Sequence, residues 1–121
     1  MIGYVTVGTN DLQRAAAFYD ALAKELGIGR VMETDQFIAW GAPGGCMISV
    51  TKPFNGAAAT VGNGVMAAIA AKDKAEVDRL YKLARSLGAQ DEGAPGPRGE
   101  GFYAAYFRDL DGNKLNAFFA G

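Results

Sequence analysis

The chain has no histidine among its 121 residues. That removes the commonest general base and the commonest transition-metal ligand together. Ser-His-Asp, Cys-His and His-rich metal sites are therefore excluded. Cysteine is nearly absent too: Cys46 stands alone, cannot form an internal disulfide, and suits a reducing cytoplasm, the expected location. No apolar run approaches the ~20 residues that span a bilayer. Met1-Ile2-Gly3-Tyr4-Val5 lacks the charged and apolar regions of a signal peptide. Neither sign of charge is in excess, and a net charge of −1 gives no reason to expect nucleic acid or a membrane as partner.

What is present is the composition of an ordinary single domain, half hydrophobic and 21% charged. Its strongest local signal is the last hairpin, where Asp111-Gly112-Asn113 is turn chemistry between two apolar runs. Beyond the turn Leu115, Ala117 and Phe119 share one strand face, and Lys114, Asn116 and Phe118 the other. Near the start, residues 2–8 alternate, with Val5 and Val7 opposite Tyr4 and Thr6. Asn10, three residues before Gln13, reads as the cap of a helix carrying Leu12, Ala15, Ala16, Tyr19, Leu22, Ala23 and Leu26, stopped at Gly27. Residues 30–34, 37–41 and 46–51 read as strands, the last with Ile48 and Val50 toward the core and Met47, Ser49 and Thr51 away from it. Cys46 shares the parity of Ile48 and is expected to be packed.

The second half resembles the first. Val65 to Ala70 reads as a strand, Asp73 and Glu76 as a capping pair, and Val77, Leu80, Tyr81, Ala84 and Leu87 as a helical stripe ending at Gly88. A displacement of 62 residues lays Tyr4 on Met66, Val7 on Ile69 and Asp11 on Asp73. The chain is thus expected to be one α+β domain over 1–121, made of two strand–helix–strand–strand–strand units at about 2–51 and 65–119, joined by a connection at 52–64. Residues 91–101, rich in glycine and proline, read as a loop, with a plain connection and a lid over an opening both possible. Gly41 to Gly45 lacks a phosphate-loop lysine and a following helix, so it is a turn.

The duplicated unit, the Thr9-Asn10-Asp11-Leu12 opening of the first helix with Phe18-Tyr19 after it, Gly62-Asn63-Gly64, and Arg108-Asp109-Leu110-Asp111-Gly112-Asn113 together resemble the vicinal oxygen chelate superfamily. That group includes glyoxalase I, the bleomycin-resistance proteins and the extradiol dioxygenases. The resemblance implies two repeats whose sheets form a cup, with helices on the convex side. Metal-dependent members carry His, Glu or Gln, His and Glu on the first, fourth, fifth and eighth strands. In this chain those positions fall on Tyr4, Ser49 (or, with a slip of one residue, Ile48), Met66 and Asn116. Divalent first-row metals favour imidazole, thiolate or carboxylate, which none of these side chains supplies.

The expectation is therefore a metal-independent small-molecule-binding protein without a cofactor, holding a small organic ligand with Tyr4, Thr6, Ser49, Met66, Tyr106 and Asn116. Tyr106 joins the set if it pairs opposite Asn116. No catalytic residue is identified: a tyrosine of ordinary pKa, near 10, needs a large downward shift to serve as a base. Arg98, Glu100 and Glu33 are the charged residues that could reach the mouth. Two other readings stay open, an enzyme of the lyase, isomerase or dioxygenase type with a non-standard site, and a degenerate dimerisation module. The resemblance also implies a homodimer, with units paired within a chain or exchanged between chains.

Overall fold

Alternation and helical stripes become ten elements in a computed structural model describing residues 1–121. They are β1 (Tyr4–Gly8), α1 (Leu12–Leu26), β2 (Gly29–Glu33), β3 (Phe37–Gly41), β4 (Met47–Thr51), β5 (Ala67–Ala70), α2 (Lys74–Ser86), β6 (Gln90–Pro97), β7 (Phe102–Arg108) and β8 (Lys114–Ala120). The first sheet runs β1-β4-β3-β2 and the second β5-β8-β7-β6. In each, the strand before the helix lies parallel to the last strand of its unit, and the other pairings are antiparallel. The α+β architecture of two repeated units is the one expected. No helix is long and apolar enough to cross a membrane.

One hydrophobic core serves both units. Leu12, Ala15, Ala16, Tyr19 and Leu22 of α1 meet Ile38, Trp40 and Val50 of the first sheet, while Val77, Leu80 and Ala84 of α2 meet Ala105, Phe107, Leu115 and Ala117 of the second. Each large apolar side chain so buried contributes about 1.5–3 kcal/mol. Because alternate strand residues feed this core, the other face of each sheet is left for Tyr4, Thr6 and Ser49, or for Tyr106 and Asn116.

The Asp-x-Asp-Gly-Asn turn joins the second unit to the first. Asp109, buried, accepts the Tyr19 hydroxyl at 2.6 Å and the Asn113 amide at 3.0 Å on Oδ2. Its Oδ1 accepts the backbone N–H groups of Asp111 and Asn113, each at 2.9 Å. Asp111 takes the Thr9 hydroxyl at 2.6 Å, and Asn113 donates to Gly8 O at 2.9 Å. Gly112 sits at φ 90°, where a side chain would be strained.

Several local expectations are corrected. The cap of α1 is Asp11, whose side chain accepts from Arg14 N. Asn10 is diverted instead to the connection, accepting Ala59 N–H at 2.7 Å and donating to Ala59 O at 3.3 Å. Asp73 does cap α2, accepting from Glu76 N at 2.8 Å. Much of the stretch expected to be a loop at 91–101 is strand β6. It is an edge strand with register shifts around Gly93, and its prolines sit where a missing N–H is tolerated. Cys46 is exposed, because β4 begins one residue later and strand parity does not reach the turn before it. β5 likewise begins at Ala67, leaving Val65 and Met66 outside the strand.

Candidate functional site

Register decides which side chains share the open face of the first sheet. Thr6 lies beside Ser49 and Ser49 beside Ala39; Tyr4 lies beside Met47. Together with Met32, Phe37 and Thr51 these residues line a cavity of about 260 Å³ that contains no charged side chain. Ser49 rather than Ile48 faces this cavity, since Ile48 packs against the core.

The hydroxyls differ in how free they are. Thr51 Oγ1 is spent on Lys52 O at 2.9 Å and Gln36 O at 3.3 Å. Ser49 is 3% exposed, yet its hydroxyl has no partner within the chain, and no fully buried polar side-chain atom is left unpaired. The reachable part of Ser49 is therefore its oxygen, at the cavity wall. Tyr4 is 63% exposed and stands at the rim. A polar group desolvated by a ligand must be re-bonded or it costs free energy, so these unspent groups select ligands that bond to them.

The remaining expected residues lie elsewhere. Tyr106 pairs directly with Asn116 across β7 and β8, which meets the condition for including it in the set. Asn116 is buried and donates to Ala105 O at 3.4 Å, leaving its carbonyl oxygen without a partner in the chain. Met66 lines a second, narrower cavity of about 100 Å³ between β1 and the start of the second unit, with Val5, Val7, Val65 and Lys114. Thr6 borders both cavities. Glu33 is engaged with Arg30 at 2.8 Å at an exposed strand end.

The positions that carry metal ligands in metal-dependent relatives do not fit a divalent ion here. Tyr4 and Ser49 share one cavity, Met66 lines the other, and Asn116 lies on the second sheet. Their donors are neutral oxygens and a thioether, and no cluster of Cys, Asp or Glu suitable for a metal occurs elsewhere. Met32, Phe37 and Met47 were missed as lining residues. For Met47 and Phe37 the signal was available, since Met47 shares the parity of Ser49 and Phe37 that of Ala39.

A family model described as Glyoxalase/Bleomycin resistance protein/Dioxygenase superfamily matches residues 1–117. The chain is 37% identical to a glyoxalase/bleomycin resistance protein from Albidiferax ferrireducens T118, with a TM-score of 0.90 over 98% of this chain and 97% of that one. A lactoylglutathione lyase from Agrobacterium tumefaciens is 25% identical, with a TM-score of 0.72 over 98% and 92% of the two chains. A glyoxalase/bleomycin resistance protein/dioxygenase family enzyme from Burkholderia phytofirmans PsJN, 22% identical with a TM-score of 0.78 over 96% and 95%, shares the fold. No curated protein matches the chain significantly.

Proposed function

This chain belongs to the glyoxalase/bleomycin resistance protein/dioxygenase superfamily, and within it we propose that it is a metal-independent protein that binds a small organic molecule, comparable in role to the bleomycin-resistance proteins. The observation that carries this reading is the uncharged cavity beside Ser49, walled by Phe37, Met32 and Met47 and offering the hydroxyls of Tyr4, Thr6 and Ser49. Such a lining suits a ligand that is largely apolar or aromatic and carries a few hydrogen-bonding groups. Met66, in the slot that Thr6 also borders, and Tyr106 and Asn116, paired across the second sheet, complete the proposed set of ligand contacts.

Equilibrium binding to an aromatic and natural-product library, with and without EDTA, tests the proposal. Ligands that bind equally in both conditions support it. An absence of any ligand, together with catalysis that appears on adding metal, overturns it. The enzyme alternative draws on the lactoylglutathione lyase likeness, and stoichiometric Zn, Ni, Mn or Fe in untagged protein would favour it. The degenerate-module reading calls for a face filled by the chain's own side chains, and the open cavity weighs against it.

We also propose a homodimer in the cytoplasm. β1 and β5 are edge strands, and Ile2, Tyr4, Val65 and Met66 are exposed around them, an apolar border that a second copy would cover. Sedimentation equilibrium giving one chain's mass at all concentrations would refute the dimer.

A further inference from the structure

Strand register lays the larger cavity out as a dish. Thr6, Ser49, Ala39 and Met32 follow one another across β1, β4, β3 and β2 in a single row, on strands about 4.8 Å apart. Tyr4 and Met47 make the row on one side, and Thr51 and Phe37 the row on the other, each roughly 7 Å away along the strands. The two smallest side chains, Ser49 and Ala39, lie side by side in the middle, and each is 3% exposed. Larger side chains stand around them, so the floor is small and the walls carry aromatic, thioether and hydroxyl groups.

Polarity is divided across this dish. The unspent hydroxyls of Tyr4, Thr6 and Ser49 all come from β1 and β4, whereas β2 and β3 supply Met32, Phe37 and Ala39. Thr51 adds no free donor, since its hydroxyl is bonded within the chain. Arg98 and Lys114, which lie against the Tyr106 ring on the second sheet, line no part of this cavity. An ionised group set against Ser49 loses water there and gains no counter-charge, which is costly. A neutral polar group is treated differently. Each hydroxyl is both donor and acceptor, and Thr6 and Ser49 are direct neighbours. A group presenting a donor and an acceptor on adjacent atoms uses both capacities, while a ketone uses only the donors.

We propose that the ligand is an uncharged planar ring bearing a carboxamide or lactam edge, laid over Ala39 with that edge against the Ser49 and Thr6 hydroxyls. The proposal rests on the small-molecule-binding reading above and adds to it the ligand's charge, its polar group and its orientation. Phe37, Met32 and Met47 then meet the ring, and thioether sulfur against an aromatic ring is a favourable contact. Size agrees as well. A cavity of about 150 Å³ takes a benzene, so the 260 Å³ here holds one ring with a substituent or a second, fused ring.

Benzamide, benzoate and acetophenone share a ring and differ in charge and in donor capacity. NMR titration of the full chain with each at neutral pH, read on the backbone amides, tests the proposal. Benzamide is expected to bind about tenfold more tightly than either of the others, with the largest shifts at Ser49 and Ala39. Its lead over acetophenone should fall about threefold or more in Ser49→Ala and in Thr6→Val. Benzoate binding as tightly as benzamide overturns the neutral charge, and acetophenone doing so overturns the amide edge. Largest shifts elsewhere, or a lead that survives in both variants, overturn the placement. Each of these results leaves the binding reading intact. No binding by any of the three overturns this inference alone if the wider library yields a ligand, and counts against both if it yields none. Should a variant unfold, the three affinities and the shift map of the unaltered protein still decide.

Discussion

Replacing Tyr19 by Phe removes a single oxygen from the seam between the two units. Tyr19 is 2% exposed, and its hydroxyl donates to Asp109 Oδ2 at 2.6 Å. A hydrogen bond to an ionised group contributes about 1.5–3 kcal/mol. Asn113 still donates to the same oxygen at 3.0 Å after the change, so the expected cost is about 2 kcal/mol. The ring remains, 5.4 Å from Trp40 in a stacked arrangement and 5.3 Å from Phe18 edge-on, and no cavity penalty is added. For a domain of this size the loss lowers the unfolding midpoint by roughly 6–10 °C.

The alkaline range provides a second check. Burial first, and then the Asp109 charge, hold the Tyr19 phenol well above its ordinary value. The stability this contributes is fully present below the unfolded value, near 10, and is lost as pH rises toward the folded one. Wild type should therefore lose stability above about pH 10 faster than Tyr19→Phe, and the gap between them should narrow. Differential scanning calorimetry at neutral pH and at about pH 10.5 measures both effects. A variant melting within about 1 °C of wild type at neutral pH, or a gap that widens in alkali, refutes the reasoning.

Three further outcomes are expected. The Asp20 carboxyl is held below its usual range, chiefly by its hydrogen bond from Arg30 and also by Trp40. Its stabilisation is present above the unfolded value and lost as pH falls. The deficit of Arg30→Gln should thus shrink below about pH 4, as a series of melts will record. Asp73→Ala removes the cap on Glu76 N and should cost about 1 kcal/mol, read as a lower urea midpoint at unchanged slope. Ser49→Val replaces an unpartnered hydroxyl at the cavity wall. It should shift melting by only about 2–3 °C while weakening any ligand found in the library by roughly tenfold, measured by titration.

What could be read from sequence was what is determined locally. The stripes of α1 and α2 and the glycine turn at 112 fix their own geometry, whereas the pairing of Tyr106 with Asn116, centred on Asp111, is set by the strand register. The errors arose where a distant partner intervenes. Asn10 loses its capping role to Ala59 in the connection. β6 becomes a strand because β7 supplies a ladder that its own composition does not favour, with Arg108 and Glu92 paired across at 2.7 Å. The spread of the six candidate residues, three on the first sheet, two on the second and Met66 just before β5, depends on how the units are set against each other, information that strand parity within one unit does not contain.

The single tryptophan has a practical consequence for ligand studies. Trp40 is buried on the helix side of the first sheet, beside Ala39, whose side faces the cavity. Its fluorescence will follow unfolding of the interior far better than occupancy on the other side of the backbone. Cys46, the sole thiol, is exposed and adjoins Met47 at the cavity wall. An environment-sensitive dye attached there would sit where an arriving ligand alters its surroundings, giving one chain two optical channels, one for folding and one for binding.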